Sequence, residues 1–201
     1  MTFPSFFAEI PPIVMHDRLA GFLGAADGGI IEYRYADAVK LAGHSCPTVA
    51  GAYLLAGRAL AALYPDEVPE RGDIRVDFRN AHESGVTGVM AAVIGMITGA
   101  AGVGGFKGIA GRFSRRDLLR FDAPDLAGEV AFTRGDSGWR VALTLHLEHV
   151  APDPRTAPLL QRLLAGEKDP AIAELFAALW QDRVRRILVG QRDDPELVTF
   201  A

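Results

Sequence analysis

The sequence predicts an α+β protein in which helices pack on a mixed or antiparallel sheet. Residues Pro47 to Tyr64 are rich in alanine and leucine, the strongest helix formers, and predict one long helix. Residues Ile74 to Arg79 and Trp139 to Val150 alternate between apolar and polar side chains, as half-buried strands do. The turn from Gly135 to Gly138 joins two strand-like segments, which favours an antiparallel hairpin.

The chain length of 201 residues suits one domain, which we assign to residues 1–201. Its core is expected at about residues 30–150 and a helical C-terminal extension at about residues 155–190. The long helix is expected to end at Tyr64, because a residue before proline disfavours helical backbone. The other predicted elements are, in order, an extended or irregular segment (1–12), a short helix (17–25), a strand (30–35), a helical turn (37–41), a helix (85–98), two strands (118–121 and 130–133) and two helices (155–165 and 171–189).

The composition is that of an ordinary globular protein, with 49% hydrophobic and 23% charged residues. The net charge of −4 gives no electrostatic footprint for nucleic acid, so no nucleic-acid partner is expected. The single cysteine excludes an internal disulfide and fits a reducing compartment, and no basic segment precedes the first apolar residues. We therefore expect a cytoplasmic protein without a signal peptide.

No charge occurs from Ser84 to Phe106, a stretch long enough to span a membrane. The glycines clustered from Gly99 to Gly105 would end a helix, however, so this stretch predicts a buried helix and a loop rather than a membrane span.

The segment Gly43-His44-Ser45-Cys46-Pro47 contains the single cysteine of the chain. Pro47 suits the first turn of a helix, because its missing N–H would have no helical partner there. The Cys46 thiol is therefore expected at a helix N-terminus, where the aligned peptide dipoles favour a thiolate. His44 lies close enough in sequence to share a ligand or a proton with it. The alternative is that Cys46 is a small buried hydrophobe and His44 a polar cap.

This Gly-His-x-Cys-Pro motif, together with Gly51, resembles the FmdE family, which is named after formylmethanofuran dehydrogenase and in which the motif opens the first core helix. Residues Ile97 to Gly105 are similar to the family's glycine-rich Thr-Gly segment, and the resemblance covers roughly residues 30–121. It implies an α+β core that forms an intertwined homodimer. The chain departs from the family at Ala42, where many members have a second histidine, and it lacks the cysteine and aspartate that commonly precede the Thr-Gly segment. It also lacks the cysteines of the C-terminal zinc finger that some members carry.

A thiolate and an imidazole suit zinc or a similar divalent transition metal. We predict that His44 and Cys46 bind such a metal, with the reaction and the substrate left open. Two ligands are too few, so others must come from elsewhere in the fold. The candidates are His82 and His16, ranked ahead of His146 and His149.

Two alternatives to a metal protein stay open. One is a metal-free thiol enzyme, in which Cys46 is the nucleophile and His44 the base. The other is a non-catalytic module that binds or senses a metal or another ligand. The three hypotheses leave open whether the protein is an enzyme.

The stretch from Gly102 to Gly108 combines glycines with one lysine. The backbone N–H groups of such a loop can bind an anion, with the lysine as counter-charge, and the candidate anion-binding residues are Gly104, Gly105 and Lys107. The alternative is a plain tight turn, since the spacing does not match a P-loop. These residues indicate a small-molecule or anionic ligand. The arginines that follow are expected on a solvated surface: Arg112, Arg115, Arg116 and Arg120.

Overall fold

The predicted α+β fold is confirmed by the structure, a computed structural model that describes residues 2–201. Within these residues the strands form a two-stranded and a five-stranded sheet. In the smaller sheet, β1 (Ile13–His16) runs antiparallel to β2 (Ile30–Tyr33). The strands of the larger sheet are β3 (Ile74–Phe78), β4 (Leu119–Arg120), β5 (Val130–Arg134), β6 (Arg140–Leu145) and β7 (Val198–Phe200). Their order is β4-β3-β5-β6-β7, in which β4 is parallel to β3 and the other pairs are antiparallel.

The helices pack around one long central helix, α3 (Pro47–Leu63). The other helices are α1 (Arg18–Phe22), α2 (Tyr35–Ala42), α4 (Thr87–Thr98), α5 (Thr156–Leu164) and α6 (Pro170–Arg185), which continues as a π-helical turn (Arg186–Gly190). Most residues of α3 are buried, and the helix contacts α2, α4, β6 and the π-helical turn. The prediction of a long buried helix from Pro47 is therefore confirmed.

The hydrophobic core draws residues from both ends of the chain. Phe6 and Met15 belong to the same buried cluster as α3, and so do Leu188 and Val198. The core thus extends beyond residues 30–150 in both directions, because β1 and β7 also supply apolar side chains. The local sequence pattern does not distinguish these two short strands from loops. A chain of this length can bury such a core without disulfides.

The strand predicted for Trp139 to Val150 is shorter in the structure. Strand β6 ends at Leu145, opposite Val198 at the start of β7, so there is no further neighbour on which to extend the ladder. The backbone N–H of His146 donates to Leu197 at 2.9 Å, and the chain then turns through the 3-10 segment Leu147–His149. His146 and His149 consequently lie in a turn and not on a strand.

The N-terminal segment also differs from the prediction, because it contains a 3-10 turn at Ser5–Glu9. Aromatic packing holds this turn against the core: the Phe7 ring is 5.0 Å from Phe6 and 4.8 Å from Tyr35, both measured between centroids and both edge-on. Such packing joins residues about thirty positions apart, so the local sequence pattern does not contain it.

Helix α4 and the glycine-rich loop occupy the uncharged stretch from Ser84 to Phe106, as predicted. The helix ends at Gly99, whose φ of 74° is the left-handed conformation that favours glycine. In the part of the chain that the structure describes, no helix is both long enough and apolar enough to cross a membrane.

Asp17 connects the start of α1 to two distant segments. Its carboxylate caps α1 by accepting from the backbone N–H of Leu19 at 2.9 Å. It also accepts from Arg71 at 2.8 Å and from Arg115 at 2.7 Å, while its side chain is 3% exposed. Burial raises the pKa of Asp17, but the Arg71 hydrogen bond, the cap from Ala20 N–H and the charges of Arg115 and Arg71 outweigh it and leave the pKa below its ordinary value.

We expect Asp17→Asn to lower the free energy of unfolding by about 3 kcal/mol at neutral pH, because it leaves the buried Arg115 and the partly buried Arg71 without their carboxylate. Since the pKa of Asp17 is lowered on folding, its stabilisation is present above the ordinary value of 3.8 and is lost as the pH falls through the folded pKa. The difference between wild type and variant should therefore shrink below about pH 4 in urea titrations at several pH values. Asp27→Asn is the control, because Asp27 is exposed and has no ion pair within residues 2–201; an equal loss in both variants would contradict the prediction.

Candidate functional site

The predicted Gly-His-Ser-Cys-Pro segment forms the corner between α2 and α3. Gly43 ends α2 with a φ of 76°, a left-handed conformation that glycine adopts without strain. Cys46 is the N-cap of α3 and Pro47 occupies its first turn, so the predicted position of the thiol at a helix N-terminus is confirmed. The local sequence explains this corner, because a glycine C-cap and an N-terminal proline are the ordinary signals for ending and starting helices.

The Cys46 side chain is turned towards the protein interior. The residue is 9% exposed and belongs to the hydrophobic core cluster. Its Sγ accepts from the backbone N–H of Val49 at 3.5 Å, as an N-cap side chain does. Cys46 does not line the cavities described below. This arrangement fits the alternative of a small buried hydrophobe with a capping role.

His44, by contrast, is exposed and faces a cavity of about 270 Å³ between α2 and α4. Its Nδ1 lies 2.9 Å from the carbonyl oxygen of Ala42, so Nδ1 carries the proton and donates it. Nε2 is then the nitrogen left to accept a proton or bind a ligand. The cavity wall on α4 includes Gly88, which has no side chain, and Ala92, which has only a methyl group.

Ser45, between the two predicted ligands, connects the corner to α6. Its carbonyl oxygen accepts from Trp180 Nε1 at 2.9 Å and from Gln181 Nε2 at 3.3 Å. Its hydroxyl donates to Gln181 Oε1 at 3.0 Å and is 2.9 Å from the hydroxyl of Tyr35. Burial raises the pKa of Tyr35 well above its usual range, so that hydroxyl stays protonated. The corner is therefore held rigidly by partners that the sequence did not indicate.

The other predicted metal ligands lie elsewhere. His82 is exposed on the loop before α4 and packs edge-on against Phe121 at 4.9 Å between ring centroids. His16 ends β1, and its Nδ1 lies 2.6 Å from Glu70 Oε2. Among residues 2–201, no group of three or more His, Cys, Asp or Glu side chains is placed to hold a metal ion. A single chain thus does not bring the four predicted ligands together, and zinc binding stays a prediction.

The glycine-rich loop is tightly packed, and some of its backbone groups are hydrogen-bonded within the protein. The Gly105 N–H donates to Gly102 at 3.0 Å, and its carbonyl oxygen accepts from Arg116 Nε at 3.0 Å. A Cβ at Gly105 would lie 3.0 Å from the Arg115 carbonyl oxygen, so close packing requires glycine there. Gly104 and Lys107 are exposed. These contacts fit the tight-turn alternative, and anion binding by Gly104, Gly105 and Lys107 stays a prediction.

The prediction of a solvated arginine surface is wrong for Arg115. Arg112, Arg116 and Arg120 are exposed, but Arg115 is 7% exposed and paired with Asp17. Burial lowers the pKa of Arg115, against the opposing charge of Asp17, yet the group remains a cation. The sequence does not indicate which arginine of the run is buried, because the carboxylate that pairs with Arg115 is far away in the sequence.

A larger and mostly apolar cavity of about 490 Å³ lies between the N-terminal segment, α3 and the residues after the π-helical turn. Arg58 lines it, and Arg58 is the single charged residue of α3. Arg58 is not among the predicted site residues, although one charge in an otherwise apolar buried helix marks a position that must reach solvent or a partner.

The chain matches no protein-family model, and it matches no curated protein either. The resemblance to the FmdE family therefore stays a prediction that rests on the two motifs.

In the folded protein we expect Cys46 to react with iodoacetamide much more slowly than in the chain unfolded by denaturant, because its Sγ is buried and hydrogen-bonded. Mass spectrometry at timed intervals gives both rates, and one cysteine per chain makes the label unambiguous. Equal rates would contradict the buried capping role and favour the thiol-enzyme alternative.

Proposed function

We propose that the protein binds a small molecule with an apolar body and one anionic group, in the 490 Å³ cavity beside α3. The observation that carries the proposal is Arg58. This guanidinium lines a mostly apolar cavity and forms no ion pair with a carboxylate within residues 2–201, whereas the other two charged lining residues, Arg192 and Asp193, pair with each other at 3.4 Å. Ligand cavities of such size, with apolar walls and a few polar groups, are the usual small-molecule sites of proteins.

The walls of the cavity are apolar on both sides. Helix α3 contributes Leu54 and Leu60, which are 8% and 2% exposed. The facing wall is the segment from Ile10 to Ile13. The Tyr53 hydroxyl lies 3.0 Å from the Pro11 carbonyl oxygen and fastens this segment to the helix. An apolar ligand body would bury apolar surface against both walls.

Polar groups occur at defined positions in this cavity. Arg58 Nη1 donates to the carbonyl oxygen of Arg192 at 3.1 Å, which positions the guanidinium and leaves its other N–H groups available. A guanidinium with free donors favours a carboxylate or another oxyanion as the ligand's polar group.

Decanoate is a suitable probe, with decanol as its uncharged match. We expect decanoate to bind the wild type with one site per chain, and Arg58→Gln to weaken it by about tenfold, because one charge-assisted hydrogen bond is lost. Decanol binding should change little. Calorimetric titration measures all four combinations. Arg162→Gln, at an exposed position of α5, is the matched control.

A second variant tests whether ligand binding can be blocked while the protein stays folded. Gly57 lies in the middle of α3 and lines the cavity, and a Cβ there would meet Ile13 at an ordinary distance of 3.6 Å. Gly57→Leu should fill the cavity and abolish decanoate binding, while the melting temperature stays equal or rises because glycine is a poor helix former. Undiminished decanoate binding in Gly57→Leu would refute this location for the site.

Metal binding, as predicted from the thiolate and imidazole of Cys46 and His44, is a second candidate. One observation favours it: the Nδ1 of His44 is fixed by a backbone carbonyl, which is how proteins commonly orient a metal-binding imidazole through Nε2. Because one chain supplies too few ligands, zinc or a similar divalent metal would bind between two copies of the chain, in a cytoplasmic homodimer. Cys46 would have to turn outward to contribute.

Zinc is expected to increase the dimer fraction of protein purified without a histidine tag, since a shared metal links two copies. Sedimentation velocity with and without zinc measures this effect. His44→Ala should abolish it, whereas His146→Ala should not, because His146 is a half-buried histidine whose Nε2 lies 3.1 Å from Thr199 Oγ1. A zinc response that is equal in the two variants, or missing in the wild type, would rule out this candidate.

A further inference from the structure

A third cavity, of about 290 Å³, lies on another part of the molecule, and four of its lining residues are arginines. It is bounded by the start of α1, the turn before β3 and the loop before β4. One carboxylate, Asp73, is among its lining residues. The four lining arginines are Arg18, Arg71, Arg112 and Arg115.

The positive charges of this arginine cavity exceed the negative charges that pair with them. Arg71 and Arg115 share the single carboxylate of Asp17. Arg18 pairs with Glu70 at 2.9 Å and with Asp73 at 3.4 Å. Arg112 has no ion pair in the part of the chain that the structure describes; its guanidinium carbon lies 4.9 Å from the centroid of the Phe113 ring. Three carboxylates therefore pair with the guanidinium groups of the cavity, of which there are four, and one positive charge is in excess.

The backbone conformation around the cavity helps to fix the positions of its arginine side chains. The Arg115 side chain crosses directly over Gly72, where any Cβ would overlap the guanidinium, and Gly72 has a φ of 82°. Phe113 has a φ of 65° and Ala110 a φ of 48°, conformations that residues with side chains seldom adopt. Such backbone occurs in tight turns and at functional sites, and here it shapes the loop that carries Arg112 and Arg115. The donors are thus in place before a ligand arrives.

Backbone donors at the cavity have no acceptor within the protein. The N–H groups of Phe113 and Ser114, both lining residues, donate to no acceptor within residues 2–201. Ser114 is exposed and Phe113 is partly exposed, so these groups can donate to an anion that enters the cavity. Arg71 Nε is buried and also lacks an acceptor in that range, so the hydrogen bonding of Arg71 is incomplete.

From these observations we infer that the arginine cavity binds a phosphate group, either free phosphate or the phosphate of a small monoester. Guanidinium groups form paired hydrogen bonds with phosphate oxygens, and a tetrahedral anion with several acceptor oxygens can use donors that converge from three segments. Phe113 at the rim offers an apolar surface to the organic part of a monoester. This site is separate from the cavity beside α3, so either proposal can fail without the other.

The test uses the full chain and calorimetric titration with inorganic phosphate and with phenyl phosphate, at low ionic strength. We expect saturable binding to one site, and Arg112→Gln should weaken it by about tenfold because one charge-assisted contact is lost. Arg112 is exposed and contacts Phe113 alone among aromatic rings, so the variant should keep the wild-type melting temperature. Tighter binding of phenyl phosphate than of phosphate identifies a monoester as the ligand, and equal or weaker binding identifies free phosphate.

Arg116→Gln is the matched control, because Arg116 is exposed on the same loop but does not line the cavity. It should retain wild-type affinity. Ser114→Glu supplies a second variant, since a carboxylate at the rim should abolish phosphate binding by repulsion. Absence of saturable binding, or equal weakening by Arg112→Gln and Arg116→Gln, would overturn the inference and leave only non-specific attraction of anions to a basic loop.

Discussion

The ion pairs of Asp17 with two arginines constrain much of this structure. One buried carboxylate holds the N-terminus of α1, the turn before β3 and the loop before β4 in fixed positions. Burying charged groups costs free energy, and the cost is recovered only when each charge is paired and hydrogen-bonded. Arg71 donates further to the Met96 carbonyl oxygen, and Arg115 donates to that of Arg71. The network therefore links the small sheet, α4 and the glycine-rich loop, and it shapes the wall of the arginine cavity.

The second organising constraint is α3, which serves different purposes along its length. Its first turn is capped by Cys46, and the peptide carbonyl before that residue is bound by α6. Its later turns line the apolar cavity through Leu54, Gly57 and Arg58. A cap that is buried and hydrogen-bonded is well suited to fixing a helix and poorly suited to nucleophilic attack. The cysteine of the most conspicuous sequence motif thus has a structural role in a single chain, while His44 of the same motif lines the small cavity between α2 and α4.

Prediction from sequence succeeded where the determining interactions are local. The ends of α3 follow from Pro47 and Pro65, and α4 ends at a glycine with left-handed backbone. Prediction failed where the bounds of a strand depend on pairing with a segment that is distant in sequence. Strand β6 stops at Leu145 because β7 begins opposite that residue, and β7 is a three-residue strand with little alternation to detect. Strand β1 is similarly short and is defined by its pairing with β2.

By itself the sequence determined the mixture of helices and strands, the long apolar helix and the placement of a thiol at its start, because these depend on neighbours within a few positions. Tertiary structure decided which charged groups are buried and where ligands can enter. Asp17 meets Arg115 across a sequence separation of 98 residues, and the donors of the arginine cavity come from three segments. Arg115 and Arg112 look alike in the sequence, yet one is buried and the other is exposed. The physical reason is that desolvation and Coulombic pairing depend on distances in space, which no periodicity along the chain encodes.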